Sequence, residues 1–195
     1  MLTPLILDTF RTLLDEAKAS GDNEPTAMNL STVDAGGRVH SRIVLLKAVD
    51  EKGLRFFTNY ESAKAQEIAQ HAAVALCFHW KLLRDGIQVR FEGRATKTSA
   101  DESDAYFATR PRGSQIGAWA SKQSEELPDR QTFEGRVAHF EKEFAGRDVP
   151  RPPHWGGYLV EPDRVEFWYG ATFRLHERIV HAADGTRWSS RLLYP

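Results

Sequence analysis

Between Phe167 and Arg178 the chain reads Phe-Trp-Tyr, then Gly170-Ala171-Thr172, then Phe173-Arg174-Leu175-His176-Glu177-Arg178. As a strand, the second half alternates faces, which puts Arg174, His176 and Arg178 on one side and Leu175, Glu177 and Ile179 on the other. Two guanidiniums and an imidazole on one face repel each other unless water screens them or an anion neutralises them. A guanidinium is also shaped to clasp phosphate or carboxylate in a fork. The row fits an anionic-ligand site beside aromatic rings, and it equally fits the charged wet face of an edge strand. A second grouping lies upstream. Tyr106 and Arg110 are four apart on one helix face, and Ser114 brings a hydroxyl to the start of the next short helix, an anion cradle or else helix capping with surface charge. Arg42 and Lys47, five apart on a strand, fall on opposite faces by strict alternation, so a bulge or a contact across a dimer is needed to bring both to one ligand.

Other chemistries find no support. The histidines at 40, 71, 79, 139, 154 and 181 lack metal-ligand spacing, so no metal is expected. There is no GxSxG elbow, no Walker loop and no GxGxxG after a strand. The single cysteine, Cys77, excludes an intrachain disulfide and sits in an apolar run, which suits packing in a reducing compartment.

The elements that must carry these residues follow from periodicity and turn chemistry. Thr3-Pro4 opens a helix with Leu7, Phe10, Leu13, Leu14 and Ala17 on one stripe and Gly21 as its stop. Strands are expected from Ala27 to Asp34 and from Val39 to Val49 around the turn Ala35-Gly36-Gly37, then from Leu54 to Asn59. Glu61 to His71 has helical composition, Ala73 to Trp80 returns to strand, and Ile87, Val89 and Phe91 alternate against Gln88, Arg90 and Glu92. The capping box Ser99/Glu102 opens a helix through Tyr106 and Phe107 to Arg110, and Ile116 to Ala120 forms another short one. Pro128-Asp129 starts a helix with the stripe Phe133, Val137, Phe140 and Phe144, ending at Gly146. After a proline-rich link, strands are expected at Tyr158 to Val160, Arg164 to Tyr169, Phe173 to His181 and Arg187 to Tyr194, with Asp184-Gly185 as the last hairpin turn. About seven to nine short strands with three or four helices argue for an α+β fold on an antiparallel barrel or sandwich.

A chain of 195 residues that is 41% hydrophobic can bury a core, and its length fits one domain. A net charge of −1, from 26 basic and 27 acidic residues, gives no global field for nucleic acid or an anionic membrane. No apolar run reaches membrane-spanning length and no signal-peptide pattern opens the chain, so a cytoplasmic location is expected.

Glu166-Phe167-Trp168 followed by Arg174-Leu175-His176-Glu177-Arg178 closely resembles the C-terminal signature of the pyridoxine/pyridoxamine 5'-phosphate oxidases, which are FMN enzymes. The resemblance extends over nearly the whole chain from Pro25. It implies the FMN-binding split barrel, a closed antiparallel sheet with flanking helices that forms a homodimer with flavin at the interface. By the same resemblance, Arg42-Ile43-Val44-Leu45-Leu46-Lys47 is the flavin-binding strand. Phe57-Thr58, Lys64, Gln88, Gln123, Ser124, Trp168 and Arg178 are further flavin contacts, with Ala63 standing where the family commonly has a phosphate-binding arginine. Lys47, Tyr106, Arg110 and Ser114 are implied as the seat of the substrate phosphate, with Arg174 and His176 over the substrate ring as the catalytic pair. The implied reaction oxidises pyridoxamine or pyridoxine 5'-phosphate to pyridoxal 5'-phosphate, with hydride passing to flavin N5 and oxygen reduced to hydrogen peroxide. Longer relatives carry a substrate-covering lid ahead of the first helix, and this chain is expected to lack it. A phenazine-biosynthesis type of flavin oxidase and a non-catalytic carrier of flavin or pyridoxal phosphate are the alternatives.

Overall fold

The computed structural model describes all 195 residues. Thr3 caps the first helix, α1 (Pro4–Ala19), its hydroxyl accepting the Ile6 amide at 3.3 Å, and Pro4 occupies the first turn where no amide donor is required. The expected apolar stripe is its buried face. On that face the Phe10 ring meets Phe78, Trp80 and Phe91 at centroid distances of 5.1, 6.0 and 4.9 Å, an aromatic cluster that fixes the helix against the sheet.

Nine strands build one antiparallel sheet: β1 (Ala27–Val33), β2 (Val39–Leu45), β3 (Ala48–Asp50), β4 (Gly53–Asn59), β5 (Ala73–Trp80), β6 (Ile87–Lys97), β7 (Trp155–Tyr169), β8 (Glu177–Asp184) and β9 (Arg187–Leu193). The order is β2-β1-β5-β6-β7-β4-β3, with β8 on β7 and β9 on β8. The strands at the two ends of that order, β2 and β3, are consecutive in the chain, so the sheet must curl to let one pass into the other. The curl is split along β7. One edge of this strand pairs with β6, while the other pairs with β4 over Trp155–Asn59 to Val160–Leu54 and with β8 over Arg164–Ala182 to Tyr169–Glu177. A bulge at Glu92/Gly93 opposite Pro162 bends the ladder between those halves.

Four more helices flank the sheet: α2 (Ala63–Gln70), α3 (Ala100–Ala108), α4 (Arg112–Ala120) and α5 (Arg130–Glu143). α3 to α5 enclose a second, smaller apolar cluster of Phe107, Ile116, Ala118, Phe144, Val149 and Trp155. The expected α5 forms with Asp129 as its cap, accepting the Thr132 amide at 2.6 Å. No helix is long and apolar enough to cross a membrane.

Four expectations need correction. The strand from Val39 to Val49 is broken at Leu46-Lys47, where the Leu46 amide bonds Thr26 O and the Lys47 amide bonds Arg55 O, both at 2.9 Å. Tyr158 to Val160 and Arg164 to Tyr169 are one strand, because β6 pairs along both, Pro162 lying opposite Gly93 and Asp163 alone left unpaired by the bulge. Arg110 lies beyond Thr109, the C-cap of α3, and α4 starts earlier than expected, at Arg112 with Pro111 ahead of it. Phe173 to His181 is not a strand throughout. Thr172–Arg174 forms a 3₁₀ turn with Phe173 at φ 55° and Arg174 at φ 62°, and pairing begins only at Glu177. Arg174, His176 and Arg178 therefore do not form an alternating strand face.

Candidate active site

The break after β2 is what opens a site. Leu46 turns into the core at 5% exposure, whereas Lys47 and the preceding Ile43, Val44 and Leu45 line a cavity of about 510 Å³. Phe57, Thr58 and Asn59 at the end of β4 form its next wall, Lys64 of α2 and Gln123 a third, and Tyr106, Arg110, Ser114 and Trp155 the last. Lys47, Lys64 and Arg110 bring three cations to this lining, which contains no aspartate or glutamate. Such a hollow selects anions.

Its aromatic wall is a stack. Phe57 lies 4.0 Å from Tyr106 and 5.5 Å from Trp155 in nearly parallel planes. Trp155-Gly156-Gly157 makes room for it, since a Cβ on Gly157 would fall 2.7 Å from the Phe57 ring. The Arg110 guanidinium sits over the Trp155 ring, Cζ 4.5 Å from the centroid. Its Nη1 is buried with no hydrogen-bond partner. Burial pushes the Arg110 pKa down and the Tyr106 phenol up, so Tyr106 keeps its proton and can donate it in a hydrogen bond. Ser114 occupies the first turn of α4, where free amides and the helix dipole also favour an anion.

Lys64 donates to Gln123 Oε1 at 2.7 Å, Ser62 Oγ at 3.1 Å and Thr58 Oγ1 at 3.3 Å. Burial, with the Arg42 charge adding to it, lowers its pKa to about 8. Arg42 itself is not in the lining. It donates to Glu67 Oε2 at 3.0 Å, to Leu30 O at 3.4 Å and to the Thr32 hydroxyl.

The remaining expected residues lie outside this cavity. Gln88, Trp168 and Arg178 are directly opposite one another across β6, β7 and β8, so their side chains form one row on one face. His176 packs on Trp168 at 4.5 Å, and its Nδ1 accepts the Ala171 amide at 3.1 Å. Arg174 is exposed on the turn beside them. Ser124, at φ 77°, borders a neighbouring hollow that shares Gln123 with the cavity. Asn59, Thr109, Pro111 and Trp155 line the cavity without having been expected from sequence. For Trp155 the two glycines that follow it were a usable sign, because paired glycines in a strand mark a close approach of other side chains.

Fold and cavity together define an antiparallel split barrel with an anion-selective mouth. Residues 14–143 match the family model described as pyridoxamine 5'-phosphate oxidase, and residues 155–195 match the pyridoxine 5'-phosphate oxidase C-terminal dimerisation region. The chain is 54% identical over 191 residues to a pyridoxine/pyridoxamine 5'-phosphate oxidase of Xanthomonas campestris, covering 97% of this chain and 96% of that one. It is 46% identical over 195 residues to one from Myxococcus xanthus, covering 100% and 94%. Among solved structures it superimposes on PhzG from Burkholderia lata 383, crystallised with tetrahydrophenazine-1-carboxylic acid, with a TM-score of 0.92 at 28% identity over 100% and 98% of the two chains. A pyridoxamine 5'-phosphate oxidase-related, FMN binding protein from Nostoc punctiforme shares the fold with a TM-score of 0.76 at 20% identity, covering 100% of both chains. The chain belongs to the pyridoxine/pyridoxamine 5'-phosphate oxidase family of oxidoreductases.

Proposed function

We propose that the protein is an FMN-dependent oxidase that converts pyridoxamine 5'-phosphate and pyridoxine 5'-phosphate to pyridoxal 5'-phosphate, with oxygen reduced to hydrogen peroxide. The observation that carries this reading is the unpartnered Arg110 Nη1, a buried donor facing a cavity with no acid in its lining. A phosphate supplies what that donor lacks, and Lys47, Tyr106 and Ser114 surround the same space.

The residues also fit FMN. Lys64, half-buried among neutral oxygens, suits a cofactor phosphate, and the row of Gln88, Trp168 and Arg178 offers a flat wall, an amide and a cation. That row lies outside the cavity of its own chain. A homodimer that sets the row of one subunit against the cavity of the other completes the site, and the match of residues 155–195 to a dimerisation region supports it. Exposed Phe173 and Leu175 on the turn and Tyr194 at the chain end give this region apolar surface to bury. Bound FMN supplies the two-electron acceptor for the substrate C4' hydride. Arg110, Tyr106, Ser114 and Lys47 anchor the substrate phosphate, so that much of the acceleration comes from orientation. His176 accepts the Ala171 amide at Nδ1, so its neutral ring carries its proton on Nε2 and can donate to the substrate ring, while Arg174 balances negative charge there.

The TM-score of 0.92 to PhzG favours one second reading, a flavin oxidase of an unphosphorylated aromatic acid. The deciding experiment is the visible spectrum of the purified protein before and after pyridoxamine 5'-phosphate is added without oxygen. Bleaching of a flavin band, with peroxide formed on admitting air, is expected. A yellow protein that stays yellow would reject turnover, and bleaching only by a tricyclic aromatic acid would favour the second reading.

A further inference from the structure

Arg42 matches a cofactor-binding position, yet its guanidinium is held from behind. Glu67 of α2 takes it at 3.0 Å, and Thr32 is hydrogen-bonded to both partners. The Glu67 side chain is only 10% exposed and lies three residues after Lys64, on the same side of the helix. On its other side His40 Nε2 lies 4.0 Å from Oε1, and Asp34 engages that histidine at 3.2 Å. A buried carboxylate is thus bonded to Arg42 from β2 and shares a helix side with Lys64, the two cations assigned to the proposed cofactor phosphate.

By Coulomb's law alone, a negative charge there opposes binding of another anion. Two cations converging without a counter-charge would also repel each other, and Arg42 already helps Lys64 to lose its proton whereas Glu67 acts in the opposite sense. Ala63 supplies no further cation at the start of α2. We propose that Glu67 is a positioning residue of the cofactor-phosphate end, fixing Arg42 against Thr32 so that the β2 and α2 cations are preorganised to take the phosphate together. The inference rests on the FMN reading above. It predicts the opposite sign from simple electrostatics: removing this negative charge weakens anion binding.

The test is flavin-fluorescence titration of the flavin-stripped full chain with FMN and with riboflavin, which lacks the phosphate. Wild type, Glu67→Gln, Arg42→Ala and the double variant are compared. Glu67→Gln is expected to weaken FMN binding about tenfold with riboflavin unchanged, and to add less than about twofold once Arg42 is alanine. FMN binding that is unchanged or tighter in Glu67→Gln overturns the inference, since the carboxylate would then be only an opposing charge. Equal losses for both flavins, or full additivity with Arg42→Ala, overturn it by making Glu67 a general structural group. If Glu67→Gln does not fold, Glu67→Asp keeps the charge but draws it back by one methylene, and an FMN-selective loss of about threefold is expected under the same criteria. A wild-type protein that binds neither flavin fails the FMN reading itself, a distinct result that takes this inference with it.

Discussion

Arg178 Nε donates to Glu166 Oε1 at 2.8 Å, and Glu166 is 2% exposed. The pair runs diagonally across the β7–β8 ladder, because the residue directly opposite Arg178 is Trp168 and that opposite Glu166 is Val180. The diagonal contact holds the guanidinium against the sheet, where it also donates to Tyr194 O at 3.2 Å. Arg90 is the next cation, at 3.6 Å from Oε2, an oxygen that accepts no hydrogen bond. Truncating Arg178 therefore leaves a buried carboxylate with one distant partner. Arg178→Ala should cost about 2 kcal/mol of stability and Arg90→Ala clearly less. Urea midpoints at unchanged slope give both values, and the reverse order would contradict this account.

Arg110 presents the opposite arrangement, a partly buried cation with no acid beside it. Its desolvation is a standing cost of the ligand-free protein. Arg110→Met, which keeps the stem over Trp155, should raise ligand-free stability by about 1 kcal/mol while raising the KM for a phosphorylated substrate about 10- to 100-fold. Thermal melts without ligand, paired with steady-state kinetics, check the two directions. A variant less stable than wild type would mean that the guanidinium is structurally satisfied after all.

The parts of this molecule that local rules control were legible. α1 begins at its Thr3 cap and buries the stripe that its spacing picks out, and β5 spans the expected Ala73–Trp80. Pairing partners decided the rest. The break at Leu46-Lys47 depends on carbonyls of Thr26 and Arg55, and β7 runs through Pro162 because it bulges at Asp163 while Pro162 and Arg164 still pair with consecutive residues of β6. Nothing in Phe173-Arg174 signals a left-handed turn, since neither residue type favours positive φ. For the site, Lys47, Tyr106, Arg110 and Ser114 do meet in one cavity. Trp155 was missed because it lies far along the chain from the Phe57, Tyr106 and Arg110 side chains it packs against. Glu67 was missed because a helical glutamate reads as solvated until its helix is packed.

That left-handed turn makes a test of Arg174 unusually clean. At φ 62° alanine is about as strained as arginine, and the side chain is exposed, so Arg174→Ala should leave stability within about 0.5 kcal/mol of wild type. Turnover should nonetheless fall far more than FMN retention, because the side chain is assigned to the substrate ring. Flavin content after gel filtration and kcat/KM for pyridoxamine 5'-phosphate are the two readouts. Parallel loss of both would remove Arg174 from the substrate side of the site.

On the FMN reading, Lys64 should link cofactor binding to pH. Burial first, and Arg42 second, lower its pKa from 10.5 to about 8, so between those values the folded ligand-free protein binds fewer protons than the unfolded chain. The lysine therefore contributes stability that increases as pH rises through that window and is absent below it. A bound phosphate reverses the preference by favouring the charged ammonium. FMN affinity should then be highest below pH 8 and fall by up to about tenfold per pH unit above it, until the raised pKa of the complex is reached. Lys64→Met should bind FMN more weakly at pH 7 and lose this alkaline dependence. Titrations at pH 7, 8 and 9, with riboflavin as the phosphate-free control, separate the lysine from general alkaline unfolding. An identical slope for both flavins would place the titrating group elsewhere.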